Sequence, residues 1–256
     1  MTDTIIVLAH ATDAGAASVA MWLAREHGAE GVRIVLPEEL SRAQWSHAID
    51  THGCASTSLT LPKAGLLTSA TVGAVLNRIS YLPVPGFRRT SAKDRDYASA
   101  ELQAVVASWL AAFGDRSVHP VRRHPWLTPA LPLQHWASAA AVVGLPVARR
   151  TIVASSRAFG PEVLDASRDV ADPLTFAIGT VLVAGSEVAG VFADKHGAQC
   201  LAAARRLHFP LLEFQFAGRD GDIHLVGVDP LPSLGEPWAV ALAARLLVSL
   251  ARELRP

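Results

Sequence analysis

The sequence predicts an α/β protein in two parts: alternating strands and helices in the N-terminal half, then two hairpins around a helix in the C-terminal half. Three observations carry this. Short apolar, largely β-branched runs at 5–9, 32–36 and 74–79 are separated by stretches with helical spacing of apolar residues, the pattern of parallel strands with covering helices. Later strand pairs flank Gly185-Ser186 and the segment 218–221, both glycine-bearing hairpin turns. The chain has 256 residues, 50% hydrophobic and 18% charged, enough to bury a large core.

Taken in order, 5–9 reads as a buried strand ending at His10, followed by the turn 10–15. Residues 16–27 have helical spacing, with Gly28 as the stop. A second strand is expected at 32–36 and a helix over 38–52, with Ser41 as an internal N-cap and Gly53 as its stop. Residues 56–61 alternate polar and apolar, which suits an edge strand. These elements and the strand at 74–78 should form one sheet, with Asn77 and Arg78 at its carboxyl edge, where Arg78 is read as a domain-interface ion pair in preference to an anion contact, and Asn77, Arg78, Arg122 and Arg123 as substrate or interface residues. The loop 81–89 leads to an amphipathic helix over 94–113, with Tyr97, Leu102, Val105, Val106, Trp109 and Leu110 on its apolar face and Gly114 at its end. The four prolines in 119–132 exclude regular structure. A helix at 133–143 and a strand at 151–155 come next. The hairpin 176–193, the helix 198–207, the hairpin 211–229 and the closing helix 238–254 complete the chain. The expected divisions are 1–115, 116–150 and 151–256.

Lys+Arg and Asp+Glu are both 23, and only Lys63, Lys93 and Lys195 are lysines. This balance argues against a nucleic-acid or membrane-surface partner. No apolar run is long enough to span a bilayer and the N-terminus lacks a signal-peptide pattern, so the expected location is the cytoplasm. Cys54 and Cys200 are in no CxxC pair. No phosphate-binding glycine loop, nucleophile elbow, zinc-protease or calcium motif is present. His119 and His124 share the proline-rich loop, and the preferred reading is loop histidines touching solvent. His10 and Asp13 follow the first strand, where open α/β sheets place ligands, but a capped helix start at Asp13 is the preferred reading. Trp109 and Trp136 are read as core.

The segments 179–193, 199–207, Phe209-Pro-Leu-Leu-Glu213-Phe and Asp222-Ile-His-Leu-Val-Gly-Val-Asp229-Pro230 together resemble the last third of the ATP-grasp ligases. More narrowly, they are similar to the glutathione-synthetase-like and peptide-maturase branches. The N-terminal half is similar to their pre-ATP-grasp domain, through Val75-Leu-Asn77-Arg78, Asp94-Arg95-Asp96-Tyr97 leading to Glu101, and Trp136 before Gly144-Leu-Pro146. The resemblance covers most of the chain. It implies a pre-ATP-grasp-like sheet with covering helices, plus a reduced ATP-grasp-like C-terminal α+β part.

The departures bear on function. Gly227 stands where the family has the glutamate of its Glu-Val-Asn-Pro strand, and Asp229 where it has the asparagine; Glu213 falls on the earlier acidic position. Between the strand at 151 and the hairpin at 176 the family inserts a lid with two phosphate-facing lysines. Here that stretch has no lysine and one glycine, Gly160, with Arg157 and Arg168 as its cations. The resemblance then implies a degenerate ATP-grasp-like protein, an accessory or partner in peptide or natural-product modification with no cofactor. Its partner would be another protein, a second copy or a peptide. An active carboxylate–amine ligase would instead use ATP and magnesium on Glu213 and Asp229. A third reading is a small-molecule binder or other enzyme, with its mouth at Asn77, Arg78, Arg122 and Arg123.

Overall fold

A computed structural model describes residues 4–52, 55–62, 65–83, 90–119, 131–148, 177–219 and 222–252. The chain divides into two units, Met1–Ala130 with Phe209–Leu211 and Pro230–Pro256, and Leu131–His208 with Leu212–Asp229. The expected strand at 151–155, the connection 160–173, Arg122, Arg123 and His124 lie outside the described residues.

The first unit begins with β1 (Thr4–Leu8), whose central residues are buried. It lies between β2 (Val32–Val35) and β6 (Val72–Asn77), parallel to both. The crossover from β1 to β2 is α1 (Ala14–His27), whose first turn is capped by Asp13: its Oδ1 accepts from the Ala16 amide at 2.9 Å. Gly28, at φ 88°, ends it. β1 is buried on both faces, which explains its unbroken apolar run. Ile6 and Leu8 face one cluster with Leu40, Leu59, Val106 and Trp109. The alternate residues Ile5 and Val7 point the other way, where α1 and the last helix, α6 (Pro237–Arg252), pack on the sheet.

Two expectations fail here. The helix expected over 38–52 is one turn, α2 (Pro37–Leu40), followed by the strand β3 (Gln44–Ile49). Ser41 closes α2 rather than starting a helix; its amide donates to Pro37 O at 3.1 Å. In β3 alternate residues turn inward. Trp45 packs edge-on against Trp109, with ring centres 5.5 Å apart, and donates Nε1–H to Leu40 O at 3.0 Å. Second, the expected single sheet is two. β3, β4 (Ala55–Leu61) and β5 (Gly65–Thr68) form a separate antiparallel sheet with β4 at its centre, not its edge. Helix α3 (Ala92–Ala112) packs against β4 through its C-terminal half, where Val106, Trp109 and Leu110 are buried; Tyr97, expected on the same apolar face, is exposed in the first turns. His47 ties this sheet to the helix, with Nδ1 2.6 Å from Thr57 Oγ1 and Nε2 2.7 Å from Ser108 Oγ.

The second unit carries α4 (Leu133–Val142), the hairpin β7 (Ala177–Ala184) and β8 (Glu187–Gly190), α5 (Ala193–Leu207), and the hairpin β9 (Leu211–Arg219) and β10 (Asp222–Asp229). Its sheet order is β10-β9-β7-β8. α5 packs on β7 and β8, and α4 packs on α5. The buried side of α5 is narrow: Gly197 lets it approach Val188, where an added Cβ would lie 3.2 Å from Cγ1. Cys200 is buried on that side, and burial pushes its thiol up to about 12, so it is a packing residue and not a nucleophile. The closing helix α6 packs on β6, β1 and α1, and so belongs to the first unit.

Gly190 has φ 130°, and an added Cβ would collide with the backbone carbonyl of Thr180 on the paired strand. We therefore expect Gly190→Ala to cost about 2–4 kcal/mol of unfolding free energy. Gly31→Ala, with nothing within 4 Å of the new carbon, should change it by no more than about 0.5 kcal/mol. Urea denaturation of the two variants checks this.

Candidate functional site

Two clusters hold the residues singled out from the sequence. The first is on the open hairpin of the second unit. Asp229 on β10 is directly opposite Glu213 on β9, and Gly227 is opposite Gln215. Directly opposed residues of an antiparallel pair share a face, and so do alternate residues of one strand. Glu213, Gln215, Gly227 and Asp229 therefore form one patch. An irregularity between Leu225 and Gly227 absorbs one extra residue, so that His224, opposite Ala217, comes out on this face as well.

Within the patch, Gln215 Nε2 donates to Glu213 Oε1 at 3.3 Å. Its amide oxygen lies over Gly227, where an added Cβ would be only 2.7 Å from it. A neutral amide thus leans across the backbone at Gly227. Two opposed carboxylates offer oxygen ligands for one hard divalent cation, with phosphate and water completing its shell. They do not supply the additional ligands that a clamp of two metals requires. Among the described residues no group of three or more His, Cys, Asp or Glu side chains is placed to hold a metal. Glu213 and Asp229 are thus two carboxylates on one face, short of a three-residue metal group among the described residues.

The second cluster is at the carboxyl edge of the parallel sheet in the first unit. Asn77 is buried, and its Oδ1 accepts from the Ile79 amide at 3.4 Å, a local turn contact. Arg78 Nε donates to Asp13 Oδ2 at 2.7 Å and Nη1 donates to Pro232 O at 2.8 Å, with side-chain exposure of 8% for Arg78 and 17% for Asp13. The guanidinium fork thus serves the capping residue of α1 and the loop before α6 together. That loop also runs close over Gly15, where an added Cβ would lie 2.5 Å from Ser233 O.

His119 is a correction to the expected solvent-facing histidine. It is 8% exposed, and its Nε2–H donates to Pro230 O. Burial lowers its pKa to about 4, and the nearby positive charge of Arg78 pushes the same way, outweighing the Pro230 hydrogen bond that opposes them. Nothing in 119–132 signals this, because its partner Pro230 lies 111 residues away along the chain. His10, half-buried after β1, accepts from the Ser80 amide through Nε2 at 3.1 Å and stacks on Tyr81. His196, never singled out, is 6% exposed on α5. It stacks flat on Phe216 with ring centres 5.0 Å apart, and neither ring nitrogen has a hydrogen bond. Burial lowers its pKa, and the charge of Lys195 pushes the same way. Trp109 and Trp136 are core residues, as expected.

Arg78→Ala should destabilise the protein by about 2–4 kcal/mol, because it strands a partly buried carboxylate and a carbonyl; thermal unfolding measures it. For His119, the unfolded chain takes up a proton below about pH 6.5 while the folded chain stays neutral to about pH 4. Stability should therefore fall as pH drops from 6.5 to 4. His119→Gln, which keeps a donor for Pro230 O, should lose that part of the slope in urea midpoints measured across this range.

No protein-family model and no curated protein sequence matches the chain. Solved structures do. The macrocyclase MdnC of Microcystis aeruginosa MRC, bound with precursor peptide MdnA, superposes with a TM-score of 0.71 at 10% identity, covering 96% of this chain and 99% of that one. A RiPP-associated ATP-grasp ligase of Chryseobacterium gregarium, in complex with ADP and a leader and core peptide, gives 0.69 at 10% identity, covering 99% and 98%. The macrocyclase MdnB of Microcystis aeruginosa MRC gives 0.62 at 14% identity, covering 96% and 99%. No helix among the described residues is long and apolar enough to cross a membrane. With sheets, hairpins and helices in this order, and with superpositions spanning nearly the whole chain, the protein has the fold of the ATP-grasp ligases.

Proposed function

We propose that this protein is a degenerate ATP-grasp-type accessory in peptide modification, which engages a peptide or a partner protein and does not bind ATP tightly by itself. One observation carries the reading. Gly227, where the fold's ligases hold a metal with glutamate, has no side chain, and the amide of Gln215 leans over it. The sequence supports it from a second side: the stretch 156–173 contains no lysine and is too short for a lid. Phosphates left in water would feel weak attraction from any cation that remains. The peptide side of the proposal rests on the neighbours, two of which were solved with precursor, leader or core peptides.

A specific observation favours a second reading. Glu213 and Asp229 lie directly opposite on one face, so a single magnesium between them could support an active carboxylate–amine ligase.

Calorimetry of the chain with ATP and magnesium separates the two. The accessory reading expects no binding tighter than about millimolar, some 4 kcal/mol. Micromolar binding that disappears in Asp229→Ala would sink it and restore the ligase.

A further inference from the structure

The strand order of the parallel sheet marks a place that neither cluster accounts for. β1 is central; the chain leaves it for β2 on one side, and β6 lies on the other. The strand order therefore reverses between the carboxyl ends of β1 and β6, and crevices at such reversals are where open α/β sheets take ligands. The residues that follow those two ends are His10 on one side and Ser80 and Tyr81 on the other.

They form a prepared surface. The Ser80 amide must be the donor in its contact with His10 Nε2 at 3.1 Å, so that nitrogen accepts and the ring N–H is on Nδ1. Ser80 Oγ is 3.2 Å from the same nitrogen. Held in this way, the imidazole stacks on Tyr81, with ring centres 4.3 Å apart and planes 20° from parallel. Tyr81 nevertheless remains 55% exposed. A large ring that is held in place on one side and open on the other has already lost the rotamer freedom that binding would otherwise remove.

The charged residues nearest to it in sequence, Arg78 and Asp13, are already paired. The guanidinium of Arg78 is committed to Asp13 and Pro232 O, so it does not call for an anion. Asp13 is committed to Arg78 and to the cap of α1, so it does not call for a cation. What is offered, among the described residues, is a stack of two rings ready to be extended by one more.

We propose that the surface at the carboxyl ends of β1 and β6 binds an aromatic side chain of a peptide, stacked on the open face of Tyr81 in the His10–Tyr81 pair. That the aromatic group belongs to a peptide rests on the proposed function; the stacking platform does not. Tyr81 makes the contact, and His10 is a positioning residue that fixes the ring.

The test is titration of the full chain with N-acetyl-tryptophanamide, followed through the ring signals of His10 and Tyr81 in NMR spectra. N-acetyl-leucinamide and N-acetyl-argininamide serve as controls. Saturable shifts are expected with the aromatic amide. Tyr81→Ser should weaken binding at least about tenfold without a change in unfolding midpoint, since the ring is exposed; His10→Ala should weaken it less. The proposal is overturned by the absence of saturable shifts, by binding that both variants leave intact, or by either control binding as tightly as the aromatic amide. Binding that passes these tests supports the platform whether or not the chain takes up nucleotide, so the two proposals fail separately.

Discussion

The contact on which the first unit depends is the one made by Arg78. A single guanidinium, almost out of solvent, joins the residue that caps α1 to the loop that delivers α6. The helices at its two ends pack against each other and over the same sheet. Arginine suits this task because its planar fork can donate in two directions at once, which a lysine ammonium does less rigidly. The same contact explains why a residue at a carboxyl strand edge, a natural place for an anion contact, serves structure here. Its charge is already balanced by Asp13, and its remaining reach goes to a backbone carbonyl.

Buried polar groups in this protein are handled in two ways. His119 is buried with a backbone partner, and its low pKa follows from the absence of water and from the neighbouring guanidinium. His196 is buried with no hydrogen bond at all and gains only the stacking contact with Phe216. An unsatisfied buried ring costs roughly 1–3 kcal/mol, so its neutral form and its aromatic neighbour are the least costly solution open to it. Neither histidine is arranged for proton transfer, and the Cys200 thiol is equally silent. On the hairpin of the second unit, the carboxylates Glu213 and Asp229 are directly opposed on one face, beside the Gln215 amide that lies over Gly227.

Local pattern was enough for many elements. The run Ile5–Leu8, the glycine stop at Gly28, the turn Gly185-Ser186, the amphipathic stripe through Val106, Trp109 and Leu110, and Asp13 as a cap are all visible in neighbouring residues and recur in the structure. β3 was not visible. Its residues Gln44–Ile49 tolerate either helix or strand, and the choice was made by the inward packing of Trp45 on Trp109, far away in the chain. With β3 misread, β4 looked like an edge and the antiparallel sheet merged with the parallel one. β5 has only four residues, Gly65–Thr68, too few for a periodic signal.

The candidate sites divide along the same line. Sequence by itself determined that the second half ends in two hairpins around a helix, that acidic residues remain at 213 and 229, and that position 227 has no side chain, because each of these is a property of residue type and local spacing. Tertiary structure alone decided that Glu213 and Asp229 share a face and that Gln215 leans over Gly227, because strand register is a long-range property. It also decided that Arg78 is spent on Asp13 and Pro232 and that His119 is buried, because the partners lie 65, 154 and 111 residues away along the chain and only folding brings them within hydrogen-bond reach.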